Sequence, residues 1–326
     1  MAEDGGDMQI VALTRSYRTA ALVTLHGHDK SEITGPAFSP DGRRLYFSSQ
    51  RGTLGAAEHG LTYELDLGAT GLFILGGCGE GAWLTSGQRL DVVKHSVKVS
   101  AGRAPVLAGV MLPATGPTLD EVRRATDAGA DALVAGSPYY NDVDGDAHVR
   151  HIEAILDASP LPILLYNIPQ STHHNIAPSS VAKLAHEPRI LGIKDSSGNL
   201  AHFQALLRIK ERRPDFRVLQ GAEFAMAASA LLGGDGAVPG MGNLTAGTFK
   251  DLFEAARRSD LASVRTLQIQ INDLAGLHSL AGHWLASLKG AISLLGYGAG
   301  IPAQPLVPAS PAQLEAIRKC LESHLP

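Results

Sequence analysis

Seven short apolar runs punctuate the chain between residues 71 and 240: GLFIL (71–75), PVLAGV (105–110), ALVAG (132–136), PILLY (162–166), ILGIK (190–194), RVLQG (217–221) and GAVPG (236–240). Their apolarity is continuous rather than alternating, which suits strands covered on both faces and hence a parallel sheet. Between them lie stretches such as TLDEVRRATDAGA (118–130) and GDAHVRHIEAIL (145–156), where apolar residues recur every three or four positions. Seven strand–helix units in succession are one short of a closed eightfold barrel. An open doubly wound sheet is the structural competitor, but no Gly-x-Gly-x-x-Gly follows a first strand. The reading is an α/β chain forming a (β/α)8 TIM barrel.

After Thr245 the pattern is wholly helical, and the proline-rich IPAQPLVPAS (301–310) divides its last two helix candidates. Residues 53–245 are therefore read as the barrel and 246–326 as a C-terminal helical extension. Residues 1–52 form an atypical β-rich segment. Within it, SEITGPAFSPDGRRLYFSSQRG (31–52) carries a Pro-Asp-Gly turn between two β-rich pieces, the signature of a hairpin. This segment stands where the first barrel strand belongs, so either ALVTL (21–25) or RLYFSS (44–49) is expected to fill that slot. RLYFSS is favoured, because the helix candidate AAEHGLTYELDLGA (56–69) begins soon after it.

Composition narrows the partners. A hydrophobic content of 44% with 18% charged residues describes a globular protein with a sizeable core. A formal net charge of −4, with no Lys/Arg run, argues against nucleic-acid or anionic-membrane surfaces. Two cysteines, Cys78 and Cys320, make no disulfide framework and fit a reducing compartment. The N-terminus lacks the pattern of a signal peptide and no stretch has the uninterrupted apolar length of a membrane span, so a cytoplasmic location is expected.

The chemistry-bearing residues fall at the carboxyl ends of candidate strands, the face where barrel enzymes keep their active sites. ILGIK ends in Lys194 and runs into the polar DSSGN (195–199). An amine held at the end of a buried strand is costly to keep charged, and a neutral amine attacks carbonyl carbons and forms Schiff bases. The first run leads into GGCGEG (76–81), whose closely approaching backbone N–H groups can bind a carboxylate without a side chain. ALVAG leads into SPYYN (137–141), and PILLY continues as YNIP (166–169). Each has a plainer reading alone: Lys194 as a solvent-facing strand end, Tyr166 as a core residue with a satisfied hydroxyl, Tyr139 and Tyr140 as a packing pair, and the glycines as a strand-to-helix turn.

Together, in order and spacing, GGCGEG, SPYYN, YNIP and GIKDSSGN resemble the family of dihydrodipicolinate synthase and N-acetylneuraminate lyase, the pyruvate-dependent class I aldolases. The resemblance covers about residues 56–310. It implies a lyase that works without cofactor or metal on pyruvate or another 2-oxo acid, by aldol cleavage, condensation or dehydration. Lys194 would form the imine, Tyr166 would move protons beside it, and Tyr140 would extend the relay. The tyrosine corresponding to Tyr140 typically reaches a neighbouring subunit's site, which implies a homodimer or homotetramer. Gly77, Cys78, Ser171, Gly221 and Val238 would line the substrate.

The chain departs from the family pattern at two places. Dihydrodipicolinate synthases usually have two threonines where Gly77 and Cys78 stand, and glycine has no hydroxyl to link the tyrosines. Enzymes that take aspartate semialdehyde typically have an arginine where Ser171 stands, and serine cannot grip a second carboxylate in bidentate fashion. Ser171, Thr172 and His173 suit a hydroxyl-bearing sugar-acid substrate instead, with dihydrodipicolinate synthesis as the alternative. The segment 9–52 separately resembles a blade of TolB-like propellers, in particular the terminal blade of PhoX-type phosphatases. A propeller needs about four or more blades, so one copy is read as a fused fragment.

Two other classes compete. HGHD (26–29) holds the His-x-His that opens metal-dependent amidohydrolase barrels, although the later strand ends carry Tyr166, Lys194 and GMGN (240–243) in place of further ligands. A barrel that has lost catalysis and serves as a scaffold is the second.

Overall fold

The computed structural model describes residues 70–325 in full and, before them, the backbone of five strands. The chain divides into two compact units, one of Ala69–Ala275 and the other of Met1–Gly68 with Gly276–Pro326.

In the N-terminal segment β1 (Met8–Leu13) pairs antiparallel with β2 (Thr19–Leu25), and β3 (Ile33–Phe38), β4 (Arg44–Ser49) and β5 (Leu61–Asp66) form an antiparallel sheet in that order. The hairpin expected at 31–52 is present as β3 and β4. Two expectations are corrected. RLYFSS is the middle strand of this antiparallel sheet and ALVTL pairs with β1, so neither supplies a barrel strand. The helix candidate at 56–69 contains β5 instead. There Leu61, Tyr63 and Leu65 alternate with Thr62, Glu64 and Asp66, and this period of two prevails over the helical spacing. The blade resemblance rests largely on side chains that lie outside the described residues, as does His-x-His at 26–28.

The second unit is built from the apolar runs. Its strands are β6 (Leu72–Ile74), β7 (Val106–Gly109), β8 (Ala132–Gly136), β9 (Ile163–Asn167), β10 (Ile190–Asp195), β11 (Arg217–Gln220) and β12 (Gly236–Ala237), all parallel and hydrogen-bonded in sequence order. This is a TIM-barrel-like sheet with seven strands among the described residues. Helices α1 (Ser86–Ser100), α2 (Thr115–Asp127), α3 (Gly145–Ala158), the single turn α4 (Pro169–Thr172), α5 (Pro178–Leu184), α6 (Leu200–Leu207), α7 (Met226–Leu231), α8 (Gly242–Arg257) and α9 (Leu261–Ala275) alternate with or follow the strands.

The pleat sorts side chains into two layers. On β9, Ile163 and Leu165 join Leu133, Ile193 and Val218 in the large apolar layer beneath the helices, whereas Leu164 and Tyr166 face the other way with Val134, Phe73, Leu107, Met111 and Leu219. The helix starts are fixed by local caps. Thr85 and Gln88 exchange bonds in a capping box at α1, Asp144 accepts from Ala147 N at 2.7 Å at α3, and Asn199 accepts from Ala201 N and His202 N at α6. In the other unit, α10 (Trp284–Leu294) and α11 (Pro311–His324) pack through Gly290, where an added Cβ would lie 3.1 Å from Leu314 and 3.2 Å from Ile317. Among the described residues no helix is long and apolar enough to cross a membrane.

Candidate active site

Lys194 and Tyr166 are register partners on β10 and β9, and the pleat sends both side chains to the barrel interior. Lys194 is 7% exposed and Tyr166 4%. The Lys194 Nζ lies 4.3 Å from the centroid of the Tyr166 ring and 5.0 Å from that of Phe73. The two rings meet edge to face, with centroids 5.5 Å apart. The amine therefore sits in an aromatic corner, and Phe73, on the first strand of the parallel sheet, is a site residue that sequence reading missed. It stands in an apolar run, where nothing separates a ring facing the amine from an ordinary core ring.

Gly221 lies against the lysine stem. A Cβ there would be 2.9 Å from Lys194 Cε and 2.0 Å from Ser196 Oγ, so only glycine leaves room for the amine in this position. Its N–H donates to the Asp195 carbonyl at 2.8 Å, which ties the end of β11 to the end of β10. Val238 continues the rim, its N–H bonded to the Gln220 carbonyl at 2.9 Å.

The loop after β6 is wound tightly over Leu75. Glu80 N donates to the Gly77 carbonyl and Gly81 N to the Gly76 carbonyl, and a Cβ at Gly81 would lie 2.1 Å from the Leu75 oxygen. Gly77, at the exposed tip, has nothing within 4 Å of where a Cβ would stand. Burial pushes the Cys78 thiol up; the Lys194 charge pulls the other way and Glu223 adds to the rise. Cys78 is thus near the amine and kept as a thiol. Glu223 is a second residue missed by sequence reading. Its Oε1 accepts from Met241 N at 2.6 Å, so the carboxylate reaches across to the loop after β12.

A buried clamp holds the Gly77 loop. Arg89 on α1 donates from Nη1 to the Leu84 carbonyl at 2.7 Å and to the Gly81 carbonyl at 3.3 Å. Its Nε lies 3.0 Å from Glu121 of α2, which also accepts from Ser86 Oγ at 2.6 Å. Burial works against the Glu121 charge, yet the bonds from Arg89 and Ser86 outweigh it and hold the carboxyl below its ordinary range.

Two further predicted residues, Tyr140 and Ser171, are exposed. Tyr140 is 89% exposed and has the left-handed backbone angle φ 83°. Ser171 is exposed on α4. The Thr172 hydroxyl bonds to the Ile168 and His174 carbonyls, both at 3.1 Å, so it supports the turn. His174 Nε2 lies 3.2 Å from the Asn141 carbonyl oxygen and joins that turn to the SPYYN loop. Among the described residues no group of three or more His, Cys, Asp or Glu could hold a metal ion.

Known proteins resemble this chain in sequence and fold. Residues 50–324 match the model of the dihydrodipicolinate synthetase family. The 4-hydroxy-tetrahydrodipicolinate synthase of Kosmotoga olearia is 31% identical over 263 residues, covering 80% of this chain and 89% of that protein. Among solved structures, dihydrodipicolinate synthase of Bacteroides thetaiotaomicron is 33% identical with a TM-score of 0.75, covering 78% of this chain and 87% of that one. YagE of E. coli, a prophage protein of the same family in complex with pyruvate, is 29% identical with a TM-score of 0.74 over the same shares of the two chains.

A buried lysine at the end of a parallel barrel strand, flanked by a tyrosine from the neighbouring strand, offers the amine and the phenol that a class I lyase, an aldolase working through a Schiff base, can use. The chain belongs to the dihydrodipicolinate synthetase family.

Proposed function

We propose that this lyase forms its Schiff base through Lys194 with pyruvate or a closely related 2-oxo acid. The observation that carries the reading is the Lys194 amine lodged against the Tyr166 ring at 4.3 Å. The unprotonated amine attacks C2, a C–N bond forms, and the carbonyl π pair moves to oxygen, which takes a proton to give a carbinolamine. Loss of water yields the imine, and loss of a C3 proton yields the enamine that attacks an aldehyde; cleavage is the reverse. Tyr166 carries the protons to and from the oxygen and the nitrogen. The amides of Gly77 and Cys78 hold the carboxylate, as the exposed tip at Gly77 and the nearness of Cys78 to Lys194 support. Gly221 and Val238 line the substrate beside the lysine stem, as the closeness of Gly221 to Lys194 Cε supports.

Tyr140 belongs to this machinery through a partner subunit. A tyrosine held at φ 83° with its ring in solvent carries roughly 1–3 kcal/mol of backbone strain, which the surroundings must offset. A homodimer or homotetramer in which Tyr140 completes the neighbour's site gives it such surroundings. Mixing Tyr140→Phe and Lys194→Ala chains should then restore part of the activity, and no restoration would contradict a shared site.

The acceptor side is open at Ser171, whose exposed hydroxyl suits a hydroxylated aldehyde or sugar acid. The names of the curated relatives favour dihydrodipicolinate synthesis as a second reading. Proton NMR in deuterated water separates these. Wild-type protein should exchange the methyl protons of pyruvate, and Lys194→Ala should not. Failure of the wild type to exchange them would overturn the lyase assignment to pyruvate. In the same tube, aspartate semialdehyde should be consumed slowly; rapid condensation would decide for the second reading.

A further inference from the structure

Behind the amine lies a polar cluster that the reaction itself does not use. Both ring nitrogens of His202 face acceptors: Nδ1 is 3.3 Å from Asp195 Oδ2, and Nε2 is 2.9 Å from the Ile176 carbonyl oxygen. A neutral imidazole has one N–H and a carbonyl oxygen can only accept, so a neutral ring would need Asp195 to donate. Asp195 is poorly placed for that. Its Oδ1 already accepts from Asn167 Nδ2 at 2.8 Å and Ser197 N at 3.0 Å, and its Oδ2 from Ser197 Oγ at 3.0 Å.

Asp195 and Asn167 are themselves register partners, each one residue beyond Lys194 and Tyr166. Asn167 Nδ2 also donates to Asn175 Oδ1 at 2.7 Å, and its Oδ1 accepts from Ile176 N at 3.0 Å. The cluster therefore buckles together the ends of β9 and β10, the loop before α5 and the start of α6. Asp195 and Asn167 are wholly buried and His202 is 7% exposed, so these groups find their partners in one another and in nearby backbone.

We propose that His202 is held as an imidazolium, and that its buried ion pair with Asp195 is a positioning device for the Lys194–Tyr166 pair. Neither residue touches the reacting atoms. Their work is to fix the register and splay of the two strand ends, so that the amine stays against the tyrosine ring. Burial opposes the ring's charge, but the bonds to Asp195 and to the Ile176 carbonyl outweigh it and raise the pKa of His202 above its ordinary value. Burial likewise opposes the Asp195 charge, and the bonds from His202, Ser197 and Asn167 outweigh it to hold the carboxyl low. Asp195 is the charged group that bears on the ring; Lys183 on the adjacent α5 is turned to Asp146, 2.8 Å away. Removing one member of such a pair leaves an uncompensated buried charge.

The test rests on the assignment of Lys194 as the imine-forming residue only in its second arm. In the first, nitrogen-15 spectra of histidine-labelled protein report the protonation of each ring, with His202 assigned by the His202→Gln chain. Should that chain not fold, Asp195→Asn, in which the ring reverts to a neutral tautomer, gives the assignment. We expect His202 to keep its second proton above the pH at which an ordinary histidine loses it; a ring that titrates at or below that pH overturns the ion pair whatever the protein catalyses. In the second arm, His202→Gln that folds with the wild-type circular dichroism should lose roughly 10- to 100-fold in the rate of pyruvate proton exchange with a nearly unchanged KM. An unchanged rate overturns the positioning role. Absence of exchange in the wild type would speak against the lyase reading alone, and the first arm would still decide the charge of His202.

Discussion

Gly221 shows how finely the amine is placed. A single methyl group there would intrude on Lys194 Cε at 2.9 Å and on Ser196 Oγ at 2.0 Å. The Ser196 hydroxyl can turn away, but Ser196 Cβ at 3.1 Å follows the backbone, so the methyl group also presses the lysine stem aside. Gly221→Ala should therefore fold normally yet lose roughly 10- to 100-fold in proton exchange from pyruvate, the scale expected for misplacing a reacting group. Wild-type rates in that variant would show that the close approach is immaterial. At this scale the sequence was informative where chemistry and position coincide. Lys194 and Tyr166 end apolar runs, and their meeting follows from strand order alone. Phe73 and Glu223 were not legible: an aromatic inside an apolar run looks like core, and a lone glutamate after a strand looks like surface until its bond to Met241 N is seen. Thr172 misled in the opposite sense, since nothing in the sequence says that its hydroxyl is used by two backbone carbonyls.

All seven apolar runs became parallel strands, because continuous Val/Ile/Leu apolarity has few other uses in a chain with helical connections. The reading failed where two periods overlap, and AAEHGLTYELDLGA is the instance. Its glycine and alanine positions imitate a helical stripe, while LTYELD alternates strictly and pairs as β5. The Arg89–Glu121 clamp is also invisible in one dimension, since its members belong to different helices and each reads as a solvated charge. It is nonetheless buried, and it fixes the loop proposed to hold the substrate carboxylate. Glu121→Ala leaves Arg89 without its counter-charge and should destabilise the fold by about 3–5 kcal/mol, measured by urea unfolding. A cost below about 1 kcal/mol, the range of an exposed pair, would contradict the clamp.

For the molecule as a whole, two buried histidines on α3 set the acid limit. Burial pushes His148 and His151 down to about 4, and His151 is bonded to Thr115 Oγ1 at 2.9 Å. In the unfolded chain both titrate near the ordinary value of 6.5. Their folded values are depressed, so the unfolded chain binds the extra protons first. Stability is at its full value above about pH 6.5 and falls as the pH drops toward 4. His202 has the opposite sign: its folded pKa is raised, so its contribution is complete below the ordinary value and is lost as the pH rises through the folded one. Urea midpoints measured across this range should therefore fall on the acid side and soften on the alkaline side. His148→Phe should flatten the acid limb, and an unaltered limb would place its origin elsewhere. None of this was readable in the sequence, where a histidine on a helix gives no sign of its burial.

Lys194 is proposed as the amine that binds the 2-oxo acid. Incubation with pyruvate and sodium borohydride, followed by peptide mapping by mass spectrometry, tests that assignment directly. One reduced pyruvyl adduct is expected, on the peptide containing Lys194, and none in Lys194→Ala. An adduct on a different lysine, or an unmodified wild-type chain, would contradict it.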